Sequence, residues 1–210
     1  HIPDKKLPAK YGISAYPMNY PNELDRKLGK TGYGIWLHGT DPIYYSRPPL
    51  DSEGCVVLPN IDLSKVRKFL RPGKTPIIVA EEVTWLDIPK WESLKHEIKF
   101  ALYRWRDDWA SGDVNAYLKH YSDEFWSGKH NQRSWSKRKR RIAKSKRYQK
   151  VDIDNLSLFS YPKSASNGKE IIVANFRQDY RSNNFSNAMN KRLYMTREDG
   201  RWKVLYEGKQ

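Results

Sequence analysis

A single cysteine, Cys55, in 210 residues rules out an internal disulfide and leaves the redox compartment unread. Long apolar runs are missing too: no stretch approaches the length of a membrane helix, and no succession of charged, apolar and small residues at the start resembles an export signal. No Walker loop or dinucleotide fingerprint follows a strand, so phosphate-cofactor chemistry has no support and no cofactor is expected. His96, His120 and His130 stand at no metal-ligand spacing with a Cys or carboxylate, so no metal site is expected. Asp107 with Asp108 and Glu81 with Glu82 are sequence neighbours, which point in different directions on regular structure and give paired-carboxylate chemistry no focus.

Basic charge is concentrated in one half. The formal net charge is +15, yet residues 1–90 hold 13 Lys and Arg against 10 Asp and Glu, whereas residues 91–210 hold 26 against 14. Ten basic residues and no acidic one lie between Arg133 and Lys150. Hydrophobic residues make up 38% of the chain, with 8 Trp and 14 Tyr, enough to fill the cores of one large or two small domains.

Cys55 closes Ser52-Glu53-Gly54-Cys55 and runs into Val56-Val57-Leu58, while an earlier apolar segment leads into His38-Gly39-Thr40. A thiol with an imidazole partner is competent for acyl transfer, because the base takes the thiol proton and the thiolate is the nucleophile. Gly54, without a side chain, lets the backbone turn sharply and bring successive N–H groups toward a developing oxyanion. On the cysteine alone, a small buried hydrophobe is the competing reading.

The full string, His-Gly-Thr, a proline-containing loop, then Ser-x-Gly-Cys at the head of a second apolar run, resembles the L,D-transpeptidase (YkuD-type) catalytic domain of bacterial cell-wall enzymes. The likeness extends through Tyr16-Pro17-Met18-Asn19-Tyr20-Pro21-Asn22, Asp25-Arg26, Ser46-Arg47-Pro48-Pro49 and Leu58-Pro59-Asn60. It implies Cys55 as nucleophile, His38 as base, and the Gly39 carbonyl as the group that fixes the imidazole tautomer. The N–H groups of Gly54 and Cys55 would receive the oxyanion, and Ser52 would support the turn. Glu53 stands where many members have a second His, and Val57 where many have a substrate-contacting Arg. Arg47 is the substitute candidate for gripping a carboxylate, with a solvated loop charge as its alternative; Tyr45 and Trp36 join it as candidate substrate contacts. The chain starts at His1, not an initiator Met, and family members carry a strand-rich portion before the matched region. The resemblance therefore implies a mature or truncated chain, with any export signal in the missing part.

Residues 1–33, rich in Pro, Tyr, Asn and Gly, read as loops and short extended pieces rather than helices. Ile35–His38 and Cys55–Leu58 read as short strands, Asp62–Leu70 as a helix capped by Asp62, and Thr75–Val79 as a last strand. The catalytic portion is expected over residues 1–86 and a linker over 87–90. From Trp91 the apolar spacing of Leu94, Ile98, Leu102, Trp105 and Trp109 predicts an amphipathic helix, and Asp113 caps a shorter one. Four strands follow the basic segment, over 151–161, 170–181, 190–197 and 202–206, with turns at Asn167-Gly168 and Asp199-Gly200. The fold class is α+β, with helices on one face of a curved antiparallel sheet over residues 91–210. Trp105-Arg106-Asp107-Asp108-Trp109, Ala116-Tyr117-Leu118, Phe176 to Ser182 and Trp202-Lys203-Val204-Leu205 resemble the nuclear-transport-factor-2-like (SnoaL-like) cone. Such cones often enclose a pocket, for which Trp126, Trp135, Tyr180 and Arg181 are candidates, ordinary core packing being their alternative.

The two resemblances imply a periplasmic enzyme of peptidoglycan stem peptides that forms a thioester acyl-enzyme. An amine acceptor would make it a transpeptidase, and water an L,D-carboxypeptidase; relatives with this accessory domain include helical-cell-shape carboxypeptidases. A non-catalytic binding module is the reading from another class. The basic segment, with Arg138, Arg140 and Arg141 as its representatives, reads as a solvated face, an electrostatic tether to an anionic cell-wall or membrane polymer, or, least favoured, a nucleic-acid site. Monomer and dimer both stay open.

Overall fold

The computed structural model describes residues 7–210, so the part of the expected loop region that falls on residues 1–6 lies outside it. The chain divides into two compact units, His1–Val79 and Ala80–Gln210.

In the first unit, β1 (Ala15–Pro17) pairs antiparallel with β2 (Trp36–His38), and β2 pairs parallel with β3 (Val56–Val57). Parallel neighbours need a long crossover, and the loop from Gly39 to Cys55 supplies it. Ala15, Leu24, Leu37 and Leu63 form the buried centre. Two short helices depart from the sequence expectation. α1 (Glu23–Lys27) breaks the expected run of loops, since Asn22 and Asp25 close a reciprocal capping box that satisfies orphan amides at its start. α2 (Asn60–Val66) starts two residues before Asp62, after Pro59, and tightens into a 3-10 turn over Arg67–Phe69. Thr75–Val79 is not a strand, and Ile77, Ile78 and Val79 are exposed. A β-branched run becomes a strand only beside a sheet edge that takes its backbone bonds, and among the described residues none is offered.

The second unit opens with α3 (Ile88–Ser111), which begins three residues before the apolar stripe, inside the stretch expected as a linker. Asp87 accepts from the Lys90 amide, and Pro89 is tolerated in the first turn because its missing N–H would have had no partner there. Gly112, at φ +83°, ends the helix, and Asp113 caps α4 (Val114–Leu118). β4 (Tyr121–Ser127), β5 (His130–Asn131), α5 (Gln132–Ala143), β6 (Gln149–Tyr161), β7 (Ile171–Ser182), β8 (Ser186–Glu198) and β9 (Arg201–Lys209) complete it. The sheet order is β5-β4-β9-β8-β7-β6, antiparallel except between β4 and β9. Register shifts in β4–β9, β6–β7 and β8–β9 bend it. Ile98, Leu102 and Trp105 of α3 pack on Ile172, Ala174, Phe176, Leu193 and Met195, so the helices cover one face of the sheet and the α+β class holds. The Asp199-Gly200 hairpin has positive φ at both residues, as a tight primed turn requires.

Candidate active site

β2 carries His38 to the edge of the first unit's core, where it is 3% exposed. Its Nδ1 lies 2.6 Å from the Gly39 carbonyl. A carbonyl only accepts, so Nδ1 carries the proton and donates, which leaves the Nε2 lone pair as the basic position. Burial lowers the His38 pKa below the ordinary imidazole value. The Gly39 hydrogen bond opposes that shift, and the positive fields of Arg47 and Lys10 add to it. The neutral, Nδ1-protonated ring is therefore the favoured form at neutral pH. Tyr11 sets its ring edge-on to the imidazole at 5.0 Å and contacts Trp36 at 4.9 Å.

Cys55 stands one residue before β3, half-buried and free, with Sγ 3.7 Å from the Gly34 carbonyl. The small-buried-hydrophobe alternative does not match that exposure. Leu37 pairs with Val56 and His38 with Val57, so extending the parallel register puts Cys55 beside Trp36, on the same sheet face as His38. Two residues along adjacent strands separate the Cα atoms by roughly 8 Å. Gly54 turns the chain at φ +104°, a region that disfavours any side chain, and an added Cβ would lie 2.8 Å from Ile35 Cδ1. Ser52 Oγ donates to the Cys55 carbonyl at 2.8 Å and braces the turn.

Asn60 has a role that the Leu58-Pro59-Asn60 string does not reveal. At the head of α2 its Oδ1 accepts from the Ile13 amide at 3.2 Å, and its Nδ2 donates to the Thr40 carbonyl at 2.8 Å. A Cβ on Gly39 would fall 2.1 Å from Asn60 Oδ1, so this glycine is required for the clamp as well as for the His38 contact. The other candidate contacts are spread more widely. Trp36 is half-buried against Tyr11, whereas Tyr45 and Arg47 stand on the exposed crossover loop. Arg47 Nε donates to Asp51 at 2.9 Å, an exposed pair within the loop through one of its guanidinium nitrogens. Val57 is the register partner of His38.

In the second unit, Arg138 leans over the Trp135 ring at 5.8 Å and reaches His130 Nε2 at 3.3 Å, Arg140 meets Asn115, and Arg141 is exposed. A cavity of about 190 Å³ opens beside α5, lined by Trp109, Tyr117, Lys139, Lys146, Gln178 and Tyr180 among others. Of the expected pocket residues only Tyr180 lines it. Trp135 is buried in the core, Trp126 packs on Tyr206 at 5.2 Å and Arg181 is exposed, because their strand and helix positions turn them elsewhere. Lys139 Nζ lies 4.6, 4.9 and 5.3 Å from the Trp135, Trp109 and Tyr117 rings. Desolvation among them lowers its pKa to about 8, against the opposing pull of Glu207. No cluster of three or more metal-ligating side chains occurs among the described residues.

Comparison with known proteins follows this division. The Cds6 C-terminal NTF2-like domain family matches residues 97–208, and the YkuD family, an L,D-transpeptidase catalytic domain, matches residues 2–79. Among solved structures, Bd1075 of Bdellovibrio bacteriovorus is 25% identical with a TM-score of 0.81, over 99% of this chain and 72% of that one. The helical cell shape determining protein Pgp2 of Campylobacter jejuni is 26% identical with a TM-score of 0.74, over 95% of this chain and 69% of that one. A search of curated proteins gives no match. The second unit is thus an NTF2-like cone, and its partner is a segment of a cell-wall, peptidoglycan-acting enzyme domain. The chain belongs to the Cds6 C-terminal NTF2-like domain family, joined here to an L,D-transpeptidase catalytic-domain segment.

Proposed function

We propose that this protein is a cysteine-dependent peptidoglycan L,D-transpeptidase acting in the periplasm. The observation that carries the reading is the His38 ring, neutral by burial and held by Gly39 so that Nε2 is free, on the strand beside the one that Cys55 heads. Nε2 takes the thiol proton as Sγ attacks the carbonyl joining the L-centre of the third stem residue to a terminal D-alanine. The Gly54 and Cys55 N–H groups, presented by the turn that Ser52 braces, receive the oxyanion. Collapse breaks the C–N bond, the imidazolium returns its proton to the leaving D-alanine amine, and a thioester is left. An acceptor amine then displaces Cys55, forming the new amide and restoring the thiol. Trp36, Tyr45 and Arg47 are the proposed contacts to the stem peptide.

Hydrolysis of the same thioester is the second reading, favoured by the likeness to a protein described as determining helical cell shape. Mass spectrometry of tetrapeptide muropeptides incubated with the chain, beside a Cys55→Ala control, separates the two. Cross-linked dimers with loss of D-alanine establish transfer, and tripeptide without dimers establishes carboxypeptidation. Polymer binding that survives Cys55→Ala, with no Cys55-dependent product, would replace both with a non-catalytic binding role.

A further inference from the structure

α5 presents two chemically unlike faces. At 100° per residue, Trp135, Lys139, Ile142 and Ala143 turn toward the body of the unit, while Arg133, Lys137, Arg140, Arg141 and Lys144 fall within a stripe roughly 100° wide on the other side. All five are exposed. Several cations elsewhere in the unit find carboxylates, as Lys95 does with Glu92, Lys169 with Glu124 and Arg197 with Glu97. Among the described residues none of the five does so, and Arg140 alone has a polar partner, the neutral Asn115 amide. Like charges three and four residues apart on one helix face repel. An external anionic surface relieves that repulsion.

Past the end of α5 the surface changes character. Tyr148 is 59% and Phe185 56% exposed. Phe185 is not on a loose loop: the β7–β8 turn is fastened to the helix end by Asn183 Nδ2 to the Ser145 carbonyl at 3.1 Å and by the Arg147 amide to Asn183 Oδ1 at 2.9 Å. Lys146 Nζ adds a bond to Ser182 Oγ at 2.9 Å and lies 5.8 Å from the Phe185 ring. A row of cations on the helix that precedes exposed Tyr148 and the fastened Phe185 turn fits a lipid headgroup layer, where phosphates meet the cations and rings enter the acyl boundary. Nucleic acid fits less well, because Trp135 is buried and Trp126 packs on Tyr206, so neither ring is open to a base.

We infer that the outer face of α5, with Tyr148 and Phe185 at its end, docks this protein on a membrane surface rich in anionic phospholipid. The inference stands apart from the Cys55 chemistry and survives or fails without it. The test is sedimentation of the full chain with vesicles of phosphatidylcholine alone and of phosphatidylcholine mixed equally with phosphatidylglycerol. The chain is expected to pellet with the anionic vesicles at low salt and to stay in solution with the neutral ones. The combined variant Arg133→Gln, Arg141→Gln, Lys144→Gln should weaken partitioning on the order of a hundredfold, about fivefold per cation. A control with the same change of net charge, Lys163→Gln, Arg201→Gln, Lys209→Gln, should weaken it far less, and Phe185→Ser should lower the binding that persists at high salt several-fold. All variants lie at exposed positions, and their circular dichroism should match the parent. Absence of pelleting with anionic vesicles at low salt, or equal loss in the two charge variants, overturns the proposal. So does indifference to Phe185→Ser combined with face-dependent binding of duplex DNA.

Discussion

His38 donates through Nδ1–H to the carbonyl of Gly39, the residue that follows it, at 2.6 Å. That bond fixes the tautomer, and burial with the fields of Arg47 and Lys10 keeps the ring neutral below its ordinary titration range. A base with a lowered pKa stays active to lower pH, so the acid limb of kcat/KM on tetrapeptide muropeptides should fall below about 6.5, the ordinary histidine value. Arg47→Gln removes one of the cationic fields and should move that limb up toward 6.5. A limb at or above 6.5 in the parent protein would mean that His38 is not the base.

Gly54→Ala tests the turn. At φ +104° an alanine is strained by about 1–2 kcal/mol, and its Cβ meets Ile35. The expected result is a loss of kcat of at least about tenfold, as for a disturbed oxyanion donor, with the second unit's thermal unfolding unchanged. Unaltered kcat would remove Gly54 from the site.

Asn60→Ala removes the bonds that join Ile13, Thr40 and the head of α2. Leaving that amide and carbonyl without partners should cost about 1–3 kcal/mol in the first unit. Because Asn60 positions the His-Gly-Thr loop rather than touching substrate, the variant should lower kcat more than it raises KM. A stability loss with unchanged kinetics would restrict Asn60 to a structural role.

Within the cone, Lys191 and Glu207, 4% and 5% exposed, form an ion pair, and Tyr121 donates to the other Glu207 oxygen at 2.5 Å. Burial alone would raise the Glu207 pKa. The Lys191 and Lys139 ammonium groups, with the hydrogen bonds from Lys191 and Tyr121, prevail and hold it at about 2. Lys191→Met leaves a buried carboxylate short of its main partner and should destabilise the unit by about 3–5 kcal/mol, whereas Lys191→Met with Glu207→Leu should recover much of that loss. The sign of the pH effect follows from the lowered pKa: the contribution is complete above about 4.5 and is lost as pH falls through about 2. Urea midpoints across acidic pH measure it, and a parent whose stability is flat over that range would contradict the pairing.

The same pair bears on Lys139, whose pKa of about 8 is set by desolvation and partly supported by Glu207. Glu207→Gln should lower it further. Titration of the isotopically methylated lysine by NMR reads the change directly, and an upward shift would show that the Glu207 field does not reach it.

Short-range features were legible in the sequence because their causes are short-range. The His-Gly and Ser-x-Gly-Cys strings mark the candidate site, the three-and-four spacing from Leu94 to Trp109 marks α3, and Asp199-Gly200 marks a turn whose residues both need positive φ. β4 is not legible in the sequence, because Tyr121 to Ser127 reads as mixed polar and aromatic, and only pairing with β9 and β5 makes it a strand. Thr75–Val79 failed the opposite way, with strand-like residues and no paired edge.

By itself, then, the sequence determined the chemistry available: one thiol, a histidine in the right string, a basic segment without acids, and an amphipathic helix before a run of strands. Tertiary structure alone decided that His38 is buried and neutral and that Asn60 holds its loop. It also decided that Trp135 is buried while Arg133, Lys137 and Arg141 face outward. Periodicity and turn sterics act over a few residues, whereas desolvation, strand pairing and the facing of a charge depend on partners distant in sequence.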